Sequence, residues 1–318
     1  VGWTANQLSA STNAANDLLL KLKTWLDTGG GLGTWTVDSW TPGAADTDQA
    51  RLHIHGPGAG AGKQVFINIQ TRNNPGAGAY GWAVTGSTSY TGGQSWGAQA
   101  SESPEVFLNL QNAPAIRYWI YGNDRRFIIV AVCDNVYCTL YAGFGLPFAL
   151  PAEYPFPLYI GGMFSSLAVP GFADARNRFP IDPGDGSAYY RMRAAAGWRK
   201  LANHAASIGD VNVNAGTDTC MWPHRVPRGY SGSSATDDWN IRGMTHMRPN
   251  VAGEMPIFQP HIIDPAALNM PMALDGIYAA PGFARSPEQQ FTIGGVTYDL
   301  FLNAARNTGR DYLAIART

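Results

Sequence analysis

Residues 115–162 read AIRYWIYGNDRRFIIVAVCDNVYCTLYAGFGLPFALPAEYPFPLYIGG. Three apolar runs, Ile116–Tyr121, Phe127–Val132 and Val136–Phe144, are separated by Gly122-Asn123-Asp124 and Cys133-Asp134-Asn135. The runs are rich in β-branched and aromatic residues, and the breakers tolerate positive φ. This pattern predicts a three-stranded antiparallel meander. No other part of the chain concentrates so much Ile, Val, Tyr, Trp and Phe, so the meander is read as the core sheet. It carries almost no reactive chemistry. A one-residue slip of its register would turn an apolar face outward, so the pairing should be tightly fixed.

Upstream, residues 11–28 place Leu18, Leu22, Trp25 and Leu26 on one helical face, ended by Gly29-Gly30-Gly31. Thr34–Thr41 reads as a short strand. RLHIH at 51–55 and QVFINIQ at 64–70 read as a hairpin with a Gly-rich tip, followed by strands at Tyr80–Val84 and Val106–Leu110. Between those two strands lies a Gly/Ser/Thr-rich loop, Thr85–Ser103. Downstream, Met163–Asn250 shows little periodicity, apart from Ala188–His204, read as a short helix from Tyr190, Ala194 and Trp198 at spacing four. Pro256–His261 is a short extended run. The C-terminal runs 276–279, 290–293, 296–302 and 312–316 read as strands, with Gly294-Gly295 as a two-residue hairpin turn. The expected fold is α+β, mainly β: antiparallel sheets with an N-terminal helix packed on one face and long irregular loops. The expected organisation is a helix-plus-β core at 1–162, a loop-rich interaction region at 163–250 and C-terminal hairpins at 251–318 on the same core.

Composition narrows the function classes. The 318 residues carry 14% charged and 12% aromatic side chains, with 37 Gly, 21 Pro and 10 Trp. Ordinary domains carry about 25% charge, so the surface is expected to be neutral polar or covered by neighbours. A net charge of −1 with scattered basic residues argues against nucleic-acid binding. Only four Lys are present, and the longest apolar run is far below the ~20 residues of a membrane helix. Cys133, Cys138 and Cys220 are too few for a disulfide framework, which with the absence of a recognisable signal peptide suggests a soluble product of a reducing cytoplasm.

Each candidate chemical motif has a plainer reading. PGAGAGKQ at 57–64 imitates a phosphate loop but lacks the Ser/Thr that binds magnesium and the following helix. His53 and His55 form an H-x-H on one strand face, a weak metal candidate that needs a third ligand. GYSGS at 229–233 and DPGDG at 182–186 read as turns, and Cys220 near His224 is only a sequence neighbour. Tyr90, Trp96, Trp222, Tyr230 and Trp239 are loop aromatics suited either to stacking on sugars or to anchoring a protein interface. No catalytic residue and no cofactor is expected.

Several phrases resemble virion structural proteins of tailed bacteriophages and prophages. These are Leu18–Trp25, Phe66–Gln70, Ile116–Tyr121, RRFIIVA at 125–131, YAGF at 141–144 before Leu146-Pro147, YPFPL at 154–158, LDGIYA at 274–279, PGF at 281–283 and TGRDY at 308–312. The resemblance implies a particle component of tail or baseplate, with partners among other virion proteins and copies of itself. It transfers no functional residue. A carbohydrate-binding module for a host surface glycan and a head or neck decoration protein are the alternative readings. A hydrolase using a metal held by His53 and His55 is a third.

Overall fold

The computed structural model describes residues 2–10, 14–28, 31–44, 49–60, 62–74, 79–111, 115–133, 136–148, 152, 154–162, 190–195, 197–201, 218–222, 255–264, 269–281, 285–302 and 311–317. In chain order the first elements are β1 (Gly2–Ala10), α1 (Ala14–Asp27), β2 (Thr36–Thr41), β3 (Arg51–Gly56), β4 (Val65–Asn74), β5 (Ala79–Ser87) and β6 (Val106–Gln111). The meander follows as β7 (Ala115–Gly122), β8 (Arg126–Cys133) and β9 (Val136–Phe144), then β10 (Leu146–Pro147) and β11 (Leu158–Gly161). Next come β12 (Tyr190–Ala194), β13 (Gly197–Leu201), β14 (Asp218–Trp222), β15 (His261–Asp264) and β16 (Asn269–Ala273). The last four strands are β17 (Ile277–Pro281), β18 (Gln290–Ile293), β19 (Val296–Leu302) and β20 (Asp311–Ala316). The fold is mainly β with one described helix at its N-terminal end, as the sequence implied.

Three sheets form. One has eleven strands in the order β1-β7-β8-β9-β11-β12-β13-β14-β15-β16-β10, one has five in the order β2-β3-β4-β5-β6, and one has four in the order β17-β20-β19-β18. Segments 1–162, 163–250 and 251–318 all contribute strands to the large sheet. Its far edge returns to the meander, because only Gly145 separates β9 from β10. A Cβ at Gly145 would lie 2.7 Å from the Ala273 carbonyl, so β16 can approach only because that position is Gly.

The meander sits between two cores. One face (Ile116, Ile120, Phe127, Ile129, Ala131, Cys133, Cys138, Leu140, Ala142, Phe144) packs with α1 and the inner face of the five-stranded sheet. The opposite face (Trp119, Tyr121, Ile128, Val130, Val132, Tyr137, Tyr141) packs with Phe301, Leu313 and Ile315 of the four-stranded sheet. Every residue of β8 is buried. This is why the sequence shows continuous apolar runs instead of alternation. It also corrects the expected penalty for slippage: a slipped register would not expose the meander but would exchange a largely aliphatic face for an aromatic one.

Helix α1 presents Leu18, Leu19, Leu22 and Leu26, all fully buried, to the first core. Each such side chain stabilises the fold by about 2 kcal/mol. The helix is pinned by the Trp82 indole, whose Nε1 donates to the Ala15 carbonyl at 2.9 Å. The first meander turn is an Asx turn: Asn123 Oδ1 accepts from the amides of Arg125 (2.8 Å) and Arg126 (3.1 Å). At Gly294-Gly295 both φ values are positive (57° and 82°), which gives the I′ geometry that a two-residue hairpin requires.

The helix expected over Ala188–His204 is instead an antiparallel pair, β12 with β13. Met192 and Ala194 are buried while Arg193 between them is half-exposed, so the operative period is two. Gly197, at φ 133°, stops any helix that the Tyr190, Ala194 and Trp198 spacing implies. The pairing partners, β11 and β14, lie far along the chain, and no local pattern announces them.

The buried cysteines give a chemical check. The Cys138 thiol lies in the first core, and burial, with neighbouring Cys133 adding to it, pushes its pKa well above the usual thiol value. Both thiols should therefore resist iodoacetamide in the folded protein and react only in denaturant, as peptide mapping by mass spectrometry will read.

Candidate functional site

The outer face of the five-stranded sheet is polar yet buried. Strand register sets His53 beside Asn68, and Asn68 beside Thr85. His53 Nδ1 lies 2.8 Å from Asn68 Oδ1, so this nitrogen carries the proton. The Asn68 amide then donates to Thr85 Oγ1 (3.2 Å) and Glu102 Oε1 (3.3 Å). Glu102 also accepts from the Thr85 hydroxyl, and its Oε2 accepts from the Gln99 amide at 2.8 Å.

The loop between β5 and β6 roofs this row. It is held by Ser103 N to the Gly86 carbonyl (2.8 Å), Thr88 N to the Ala100 carbonyl (3.1 Å) and the Gln99 side chain bridging both backbone groups of Thr91. Tyr90 and Trp96 hang from the roof with ring centroids 5.3 and 6.4 Å from His53. Trp96 Nε1 donates to Glu105 Oε1 at 3.0 Å, and Arg72 pairs with the same oxygen. Three residues singled out from sequence, His53, Tyr90 and Trp96, thus converge here.

His55 shares the outer face but turns to another partner, its Nδ1 lying 2.9 Å from both carboxylate oxygens of Asp38 and its ring 5.4 Å from Phe66. Among the described residues no group of three or more His, Cys, Asp and Glu stands together as a metal site would need. The Gly-rich tip at 57–64 joins strands, and its Gly58 amide donates to the Asp124 carbonyl at 2.8 Å. Trp222 pairs in register with His261, and its side chain is outside the described residues, as are Tyr230, Trp239, His224 and the segments 182–186 and 229–233.

A second set of polar groups, not singled out from sequence, ties the meander to the C-terminal sheet. Glu288 accepts from Arg117 Nη1 (2.8 Å) and from the Tyr137 hydroxyl (2.7 Å). Asp299 accepts from the Tyr121 hydroxyl (2.7 Å) and, through both oxygens, from Arg317 (2.8 Å each). Asp275 accepts from Asn123 Nδ2 (2.9 Å) and Arg126 Nε (3.2 Å). The Asp275-Gly276 pair before an apolar run and the Arg125-Arg126 pair after a turn are their only local sequence signals.

Burial raises the pKa of Tyr121, Tyr137 and Tyr141, and the carboxylates of Asp299 and Glu288 raise the first two further. A raised folded pKa contributes stability that is fully present below the unfolded value of about 10 and is lost as pH climbs through the folded value. The melting temperature should therefore fall as pH rises above about 10. Tyrosinate absorbance at 295 nm should lag behind that of the denatured chain and rise with unfolding.

Compared with protein-family models and with curated protein sequences, the chain matches none.

Proposed function

We propose that the chain is a structural subunit of a tailed-phage particle, most consistent with a tail or baseplate position, and that it acts by assembly and not by catalysis. The observation that carries this reading is the use of its polar groups. Asp275, Glu288 and Asp299 are each engaged by meander side chains, and the row His53, Asn68, Thr85 and Glu102 is linked by hydrogen bonds from one member to the next. Among the described residues these groups hold layers together or brace a loop on its sheet, which suits a building block of low charge. The phrase-level resemblance to virion proteins supplies the kind of assembly. Mass spectrometry of particles purified through a density gradient tests it: the chain should be present at a fixed stoichiometry. Recovery of the chain only in the particle-free fraction would overturn the reading.

One observation favours a second reading, attachment to a host surface glycan. Tyr90 and Trp96 lie together on a half-exposed roof with Thr91, Gln94 and Ser95 around them. Aromatic faces with a polar rim suit sugar rings. Glycan-array binding that disappears in Trp96→Ala, with an unchanged melting temperature, would favour it over assembly alone.

A further inference from the structure

Sheet edges need protection, because unpaired backbone groups recruit other strands. Most edges described here have it. β1 and β2 are bulged, at Thr4/Gln7 and Val37/Ser39. β6 packs against β8 and β9, and β17 is bridged by Phe258 to Ala279. β10 is only two residues long. β18, with the sequence QFTI at 290–293, has no bulge, no Pro and no charge, and among the described residues no element covers it; Gln290, Thr292 and Ile293 are exposed.

Its outward groups have a defined spacing. Ile293 and Val296 close the two-residue turn, so they and Phe291/Tyr298 exchange hydrogen bonds within the hairpin. Gln289 points the same way, accepting from Leu300 N at 2.9 Å. The N–H and C=O groups of Gln290 and Thr292 therefore point away from β19, at the free edge.

We infer that β18 pairs antiparallel with β18 of a second copy about a two-fold axis at Phe291. Gln290 then faces Thr292 of the other copy and Thr292 faces its Gln290, which closes four backbone hydrogen bonds with no donor or acceptor left over. The two Phe291 rings meet at the non-hydrogen-bonded position on the axis, each already stacked on Tyr298 at 5.2 Å. An uncharged, self-matching edge fits a copy of itself better than a partner of either charge. The contact is short and belongs to the weak, transient class, which concentration within an assembly would drive. It deepens the assembly reading but can fail without it.

Covalent capture tests this. Under mild oxidation Phe291→Cys should form a disulfide-linked species at twice the 34.2 kDa chain mass, since facing non-hydrogen-bonded positions lie within disulfide reach. Ile293→Cys, exposed but displaced from the axis, should cross-link at least tenfold more slowly. Adding Thr292→Pro to Phe291→Cys should abolish the cross-link while leaving the melting curve close to that of Phe291→Cys, because this N–H serves no bond inside the hairpin. Equal cross-linking at 291 and 293, or cross-linking that survives Thr292→Pro, would overturn the proposal. So would the absence of any 291 cross-link in a variant that circular dichroism shows to be folded. Presence of the chain in purified particles is read separately, so either reading can fall alone.

Discussion

Replacing Asp275 with Ala will destabilise the fold by about 3–5 kcal/mol, the cost of leaving a buried charge without its partner. Arg126 is only 1% exposed, and its ion pair among the described residues is to Asp275. Arg126 Nη1 has no hydrogen-bond partner among the described residues, and Gly276 lies so close that a Cβ there would fall 2.1 Å from Nη2. The guanidinium thus cannot swing to water without displacing the start of β17. The reverse change, Arg126→Met, should cost less, because the Asp275 side chain is 25% exposed and can be rehydrated. The double change Arg126→Met with Asp275→Asn should recover part of the Asp275→Ala loss, since an apolar replacement of a buried pair is often near neutral. Urea midpoints at unchanged slope will read all three. A midpoint in Asp275→Ala indistinguishable from the parent would show that the pair does not hold the layers.

Phe301→Ala should cost about 3–5 kcal/mol by opening a cavity in the second core. Phe301 is fully buried, and its ring meets Trp119 at 5.0 Å, Tyr137 at 6.0 Å and Tyr121 at 6.4 Å. These edge-on and tilted contacts add to the area that the ring buries. Phe301→Leu keeps most of the volume and should cost under about 2 kcal/mol. Because the meander separates the two cores, the loss should be local. Amide exchange should accelerate in β17–β20 and leave α1 and β2–β6 near parent rates. Uniform acceleration across the chain would mean that the cores unfold as one unit.

The meander, α1, the 51–70 hairpin and the C-terminal hairpin were legible because each is set by neighbours in sequence. Period, turn residues and Gly placement suffice for such elements. What was not legible depends on distant partners. The strands at 190–194 and 197–201 carry a helix-like spacing that only their pairing with β11 and β14 overrides. That both meander faces are buried follows from the C-terminal sheet, more than 150 residues from Asn123 in the chain (152 for Asn123–Asp275). The convergence of His53, Tyr90 and Trp96 was half legible. H-x-H alternation fixed the face, whereas the roof that brings the aromatics over it is braced by Gln99 within the loop and tied to the sheet by Glu102 (to Asn68 and Thr85) and Ser103 (to Gly86), partners that no local pattern announces.

The proposed role is that of a low-charge β framework built into an assembly. Electron microscopy of intact particles from the cells in which the chain is made is the decisive measurement. Density for the two-core framework is expected in symmetry-related copies within tail or baseplate. A map that accounts for every subunit of the particle with no density that fits the framework would rule the proposal out.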